Sequence, residues 1–92
     1  MMNSRFSLGR TLATPGALAA LGEAKQSPAE FLARHKAGDW VEMCDEDRQQ
    51  NELSLQQGSR VFSAYHTVAG ARLWVITEAD RSSTTILLPS EY

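Results

Sequence analysis

Between Arg60 and Leu88 the chain is dominated by a two-residue rhythm, and this feature limits its possible folds more than any other. Val61, Ser63 and Tyr65 alternate with Phe62, Ala64 and His66, and Leu73, Val75 and Thr77 alternate with Trp74, Ile76 and Glu78. Successive side chains of a strand point to opposite faces, so each run reads as a strand. Val68-Ala69-Gly70 supplies a short turn, which makes the pair a hairpin. The polar segment EADRSS (78–83) is rich in turn formers, and the β-branched, apolar run Thr84 to Leu88 follows it before Pro89. EADRSS is therefore expected to connect two antiparallel strands. Tyr65 and His66 must point to opposite faces, so only one of them can line the core.

The first half of the chain has helical spacing after a short extended opening. Arg5 to Thr14 alternates loosely and predicts a first strand. Thr14 is placed to cap a helix with Pro15 at its first position, where the missing N–H costs nothing. Ala17, Leu18, Ala20, Leu21 and Ala24 form the stripe of that helix. Ser27-Pro28-Ala29-Glu30 has the capping-box order, with Phe31, Leu32 and His35 inward and Gly38 as the stop. A third helix is predicted over 45–57, with Asp45 as cap, Glu46 and Asp47 at the positive end of its dipole and Gly58 as terminator. Its apolar face is thin, only Leu53 and Leu55. The order β-α-α-α-β-β-β predicts a single α+β domain over 1–92. Its antiparallel sheet has three or four strands, with about three helices packed on one face. The predicted core is Phe6, Leu8, Leu18, Leu21, Phe31, Leu32, Phe62, Val75, Ile76, Ile86 and Leu88. A sheet this small leaves an edge strand, which makes a homodimer an expectation.

Size and charge remove several function classes. A 92-residue chain buries roughly 60 to 65% of its unfolded surface, enough for one core but with little area to spare for a deep cleft. The longest apolar runs, LWVI and ILLP, fall far short of the roughly 20 residues of a membrane span. Arg5 and Arg10 ahead of an Ala- and Leu-rich stretch give the opening some look of a targeting peptide, but Pro15-Gly16 interrupts it. Cys44 is the single cysteine, so no internal disulfide forms and a reducing, cytoplasmic setting is expected. The net charge of −2 conceals an uneven distribution: five basic and two acidic residues in 1–38, against one basic and six acidic in 39–58. Such a dipolar surface can steer a charged partner but lacks the basic face of a nucleic-acid binder.

The segments RFSLGRTLATPGAL, RHKAGDW, NELSLQQGSRVFSAY and WVITEADRSSTTILLPSEY together resemble a family of small plasmid- and phage-related proteins. The resemblance spans nearly the whole length and carries over no catalytic residue. It departs at Val41, where members of that family tend to have Gly after the Asp-Trp pair. The resemblance implies a mobile-element setting, and with it a protein that modulates replication, transfer or host defence.

Five groups of residues are candidates for function. His35, Asp39, Cys44, Asp45 and His66 are of metal-ligating type, but none falls in a recognised spacing, so no metal or other cofactor is expected. Cys44 beside Glu42, Asp45 and Glu46 sits in a negative field that disfavours a thiolate, so it is read as a buried small hydrophobe. Asp80 and Arg81 with the hydroxyls of 82–85 form either an anion site or an Asx turn in which Asp80 accepts from the following amides. With His66 they make a ligand-binding or enzymatic alternative. Trp40, Trp74, Tyr65 and His66 are the aromatic set, with Trp74 able to pack, stack on a base or anchor a partner. The acidic run DWVEMCDEDRQQNE is the most distinctive surface feature. Its spacing can imitate a row of phosphates and occupy a basic groove on a host protein or nucleoprotein complex. The preferred expectation is thus a non-enzymatic interaction protein that inhibits such a complex through Asp39, Trp40, Glu42, Asp45, Glu46, Asp47 and Arg81. A DNA-associated regulator is the third alternative, although direct nucleic-acid contact is not expected.

Overall fold

The computed structural model describes residues 4–92. Along the chain it contains β1 (Arg10–Ala13), α1 (Pro15–Ala24), α2 (Pro28–Lys36), α3 (Asp45–Gln57), β2 (Val61–His66), β3 (Arg72–Thr77) and β4 (Ser83–Leu87), and it closes on a 3-10 turn at Pro89–Glu91. The four strands form one sheet in the order β1-β4-β3-β2. β2, β3 and β4 are the antiparallel meander that the two-residue rhythm implies, with Val61 opposite Thr77 and Val75 opposite Ile86. β1 joins parallel to β4, with Leu12 opposite Thr85, so the α+β sheet is mixed rather than wholly antiparallel. A parallel neighbour requires a long crossover, and the three helices between β1 and β2 supply it.

Capping explains where the helices start. The Thr14 hydroxyl accepts from Ala17 N at 3.2 Å and that of Ser27 accepts from Ala29 N at 3.1 Å, each followed by proline at the first turn. The Glu30 carboxylate does not complete a capping box; it accepts instead from Gln26 Nε2 at 2.9 Å. Cys44, not Asp45, occupies the cap position of α3, and Asp45, Glu46 and Asp47 fill its first turn, where carboxylates favour the helix dipole. Cys44 is exposed, against the expectation of burial, because Trp40 and Met43 take the inward positions of that loop.

The opening strand is shorter than predicted. Gly9 has φ of +63°, and a Cβ there would lie 2.4 Å from the Arg81 carbonyl oxygen. Extended geometry breaks at that residue, and 5–9 runs as an irregular segment crossing the β3–β4 turn, with Arg5 N donating to Lys36 O at 2.8 Å.

The helical layer covers one face of the sheet, with α3 at its margin. Odd-numbered residues of β2 and β3 point toward this layer: Val61, Ser63, Tyr65, Leu73, Val75 and Thr77 are all buried. With Ala17, Leu21, Phe31 and Ile86 the apolar members make the main core, and Trp40 and Met43 join Val61 in a second cluster. Burial of each large side chain contributes about 1.5–3 kcal/mol, which is what holds the helical layer on the sheet. Leu18, predicted inside, is 51% exposed because Ala17 and Leu21 define the inward face of α1. Phe6, Leu8, Leu32, Phe62 and Leu88 are only half-buried. α3 turns inward with Asn51 and Ser54, and leaves Leu53 outside. It lies along the outer edge of β2, where the Asn51 amide donates to Phe62 O at 2.5 Å and accepts from Phe62 N at 3.0 Å. A side chain thus stands where a further strand would pair.

Candidate functional site

Part of the acidic segment is engaged internally. Asp39 accepts from Arg34 Nε at 2.8 Å, and Glu42 bridges Arg34 (3.3 Å) and His66 Nδ1 (2.9 Å). The Arg34 guanidinium lies 4.3 Å from the centre of the Tyr65 ring, and the Tyr65 hydroxyl donates to Asp39 O at 2.7 Å. Burial pushes the Tyr65 phenol up to about 12, so it remains a neutral donor. Trp40 is buried, its Nε1 donating to Ser63 Oγ at 2.8 Å, and it therefore belongs to the core rather than to a contact surface. Asp45, Glu46 and Asp47 remain exposed on the first turn of α3, with Asp45 accepting from Arg48.

Arg81 lies elsewhere. Its guanidinium donates to the carbonyls of Ser59 (2.7 Å), Glu78 (3.1 Å) and Ala79 (3.1 Å), and to Ser54 O at 3.4 Å. Nine residues of helix separate Asp45 from Ser54, about 14 Å along the axis. Arg81 therefore ties the end of α3 to the β3–β4 turn and does not join the acidic surface. Asp80 accepts from Ser82 N at 3.0 Å, the Asx turn that was one reading of this segment, and the Ser82 hydroxyl and amide hold its carboxyl below the usual range. His66 stands opposite Arg72 at the far end of the hairpin. The length of β3, about 17 Å, separates it from the Asp80–Arg81 turn. The three residues of the ligand-binding alternative are not brought together.

A buried polar chain, which the sequence reading missed, runs through the molecule. His35 Nδ1 is 2.5 Å from Ser63 Oγ and its Nε2 is 2.8 Å from Thr77 Oγ1; Thr77 and Thr84 hydroxyls are 2.6 Å apart, and Thr84 donates to Leu8 O at 2.7 Å. Proton counting fixes the directions from Leu8 O back to His35 Nε2, because each hydroxyl has one hydrogen to give. Leu8 O can only accept, so Thr84 spends its proton there and accepts from Thr77. Thr77 must in turn accept from His35 Nε2–H. With the ring neutral, Nδ1 is the acceptor of the Ser63 proton, and Ser63 accepts from Trp40 Nε1–H, so the neutral His35 is the Nε2–H tautomer. Burial, with the positive charge of Arg81 adding to it, drives its pKa down to about 3. The period-2 pattern put Ser63 with Val61 and Tyr65 and Thr77 with Leu73 and Val75, and the hairpin register then sets both groups on one face.

The helix-free face of the sheet carries a second feature. Phe62 and Trp74 meet edge to face at 5.1 Å, Trp74 and Tyr92 at 5.6 Å, and the Arg60 guanidinium lies 6.0 Å from the Tyr92 ring centre. These four residues with Ile76 line an open groove of about 380 Å³. A smaller one of about 150 Å³, lined by Glu42, Ala64, His66, Arg72 and Trp74 among others, adjoins it toward the beginning of α3. Among the described residues no three His, Cys, Asp or Glu side chains gather as a metal site, and no helix is long and apolar enough to cross a membrane. Comparison with protein-family models, curated proteins and solved structures finds no match.

Proposed function

We propose that this is a non-enzymatic interaction protein that binds a partner protein across the β2 side of the molecule. The acidic first turn of α3 supplies charge, and the aromatic groove of the helix-free face supplies the apolar anchor. The observation carrying this reading is the cluster of half-buried Phe62 and Trp74 with exposed Tyr92, which forms an apolar groove on the face that no helix covers. Exposed aromatics beside charged groups are the usual composition of a binding hot spot and its rim. The mobile-element setting rests on the sequence resemblance alone. In that setting the partner is a host defence or nucleic-acid-handling complex, whose basic groove the row Asp45, Glu46 and Asp47 fits.

Affinity capture from host extract tests the reading. Trp74→Ala removes the anchor, and loss of a hot-spot aromatic of about 2 kcal/mol lowers recovery of the partner roughly 30-fold. The triple change Asp45→Asn, Glu46→Gln, Asp47→Asn is expected to slow association and flatten its salt dependence with the fold intact. Partner recovery that is unchanged by both variants refutes the proposal.

A second reading is favoured by one specific observation: Trp74 and Phe62 lie between Arg60 and Arg72 on the same face, the pairing of stacking rings and cations that holds single-stranded nucleic acid. It requires quenching of tryptophan fluorescence by an oligonucleotide, with affinity falling steeply as salt rises.

A further inference from the structure

The two edges of the sheet are treated differently. On β2 the Asn51 amide occupies the outward backbone groups of Phe62, which denies them to an added strand. β1 has no such cover. Arg10 N donates to Ser82 O at 2.9 Å and Thr14 N to Ile86 O at 3.0 Å, so the even residues of this strand face β4. By alternation, Thr11 and Ala13 direct their N–H and C=O groups away from the sheet, and among the described bonds none reaches them from another side chain or loop. Leu12, between them, is 43% exposed.

We propose that β1 is a self-association edge, at which two copies of the chain pair antiparallel about a twofold axis through Leu12 and join their sheets into one of eight strands. This register uses every free group: Thr11 exchanges two hydrogen bonds with Ala13 of the second copy, and Ala13 exchanges two with its Thr11. Leu12 then meets its own copy as a non-hydrogen-bonded pair, in which side chains approach most closely. Charge complementarity selects a second copy as the occupant. In this register Arg10, which makes no ion pair among the described residues, lies across from Thr14 of the other chain. The Thr14 hydroxyl is held by Glu91 at 2.5 Å. The Arg10 cation therefore approaches the Glu91 carboxylate of the second copy, once at each end of the pair. The axis stands perpendicular to the sheet and keeps both helical layers on the same side. The shallow apolar recess of about 100 Å³ lined by Ala13, Pro28 and Leu32 on one copy then faces its twin.

The test combines solution mass with directed crosslinking. Sedimentation velocity of the full chain is expected to show a species of twice 10.1 kDa that dissociates on dilution. Thr11→Pro removes one outward N–H and leaves the ladder to β4 intact, since an edge strand tolerates proline where its N–H faces solvent. It is expected to give monomer, as is Arg10→Glu. In a Cys44→Ser background, Leu12→Cys brings two sulfurs across a pair whose Cα atoms are about 4.5 Å apart, and mild oxidation yields a covalent dimer. Arg10→Cys places its sulfurs about 13 Å apart along the paired strands and does not crosslink. A monomeric mass at several hundred micromolar overturns the proposal, and so does Leu12→Cys crosslinking no faster than Arg10→Cys. Recovery of β1 paired with a foreign peptide in place of its own copy overturns it equally.

Discussion

His35 makes acid stability the most informative measurement on this fold. Its imidazole is fully buried between Ser63 and Thr77, and its pKa is about 3, against an ordinary 6.5 in the unfolded chain. The folded value is depressed, so below pH 6.5 the unfolded chain binds a proton that the folded protein refuses. The stability associated with the neutral ring is complete above pH 6.5 and falls as pH drops toward 3. Each pH unit in that window costs about 1.4 kcal/mol, so the loss is about 2 kcal/mol at pH 5 and about 3 kcal/mol at pH 4. That is a large share of the 5–15 kcal/mol that holds a typical domain. Carboxylates add their own acid dependence, and His35→Gln separates the two, since an amide keeps a donor and an acceptor but does not titrate. Urea unfolding of both proteins at pH 7.5, 6, 5 and 4.5 is the assay. The wild type should lose about 2 kcal/mol more than His35→Gln between pH 7.5 and 5. Equal slopes for the two proteins refute both the neutral tautomer and the closed proton chain from Trp40 to Leu8.

Two further perturbations follow from the same accounting of polar groups. Asn51→Ala leaves the Phe62 N–H and C=O without partners and is expected to cost about 2 kcal/mol in chemical denaturation. It also opens the second edge of the sheet, so light scattering should report species larger than a dimer. Arg81→Ala removes charge-assisted bonds to three loop carbonyls, with an expected loss of about 2–3 kcal/mol in thermal unfolding. Arg81→Lys restores less than half of it, because one ammonium cannot reproduce a planar fork. Full recovery by lysine contradicts the bracing role.

Local chemistry made much of this molecule legible in advance. Thr14-Pro15 and Ser27-Pro28 mark helix starts because a hydroxyl cap and a proline act within one turn. Gly58, with φ of +71°, marks an end because a left-handed residue is needed there. The alternation from Val61 to Thr77 declares a hairpin because the pleat has a period of two. These signals are set within a few residues and need no knowledge of distant contacts. Tertiary structure decided the rest. The parity of β2 and β3 is visible in the sequence, but which parity faces the helices is not. The odd set, with Ser63 and Thr77 in it, went inside only because His35, Trp40 and Thr84 arrived to complete their hydrogen bonds. Arg81 looks like a surface cation until carbonyls from three segments converge on it, and Asn51 looks like a solvated helix residue until the β2 edge comes within its reach. Polar burial depends on partners far apart in the chain, and their meeting is a property of the fold alone.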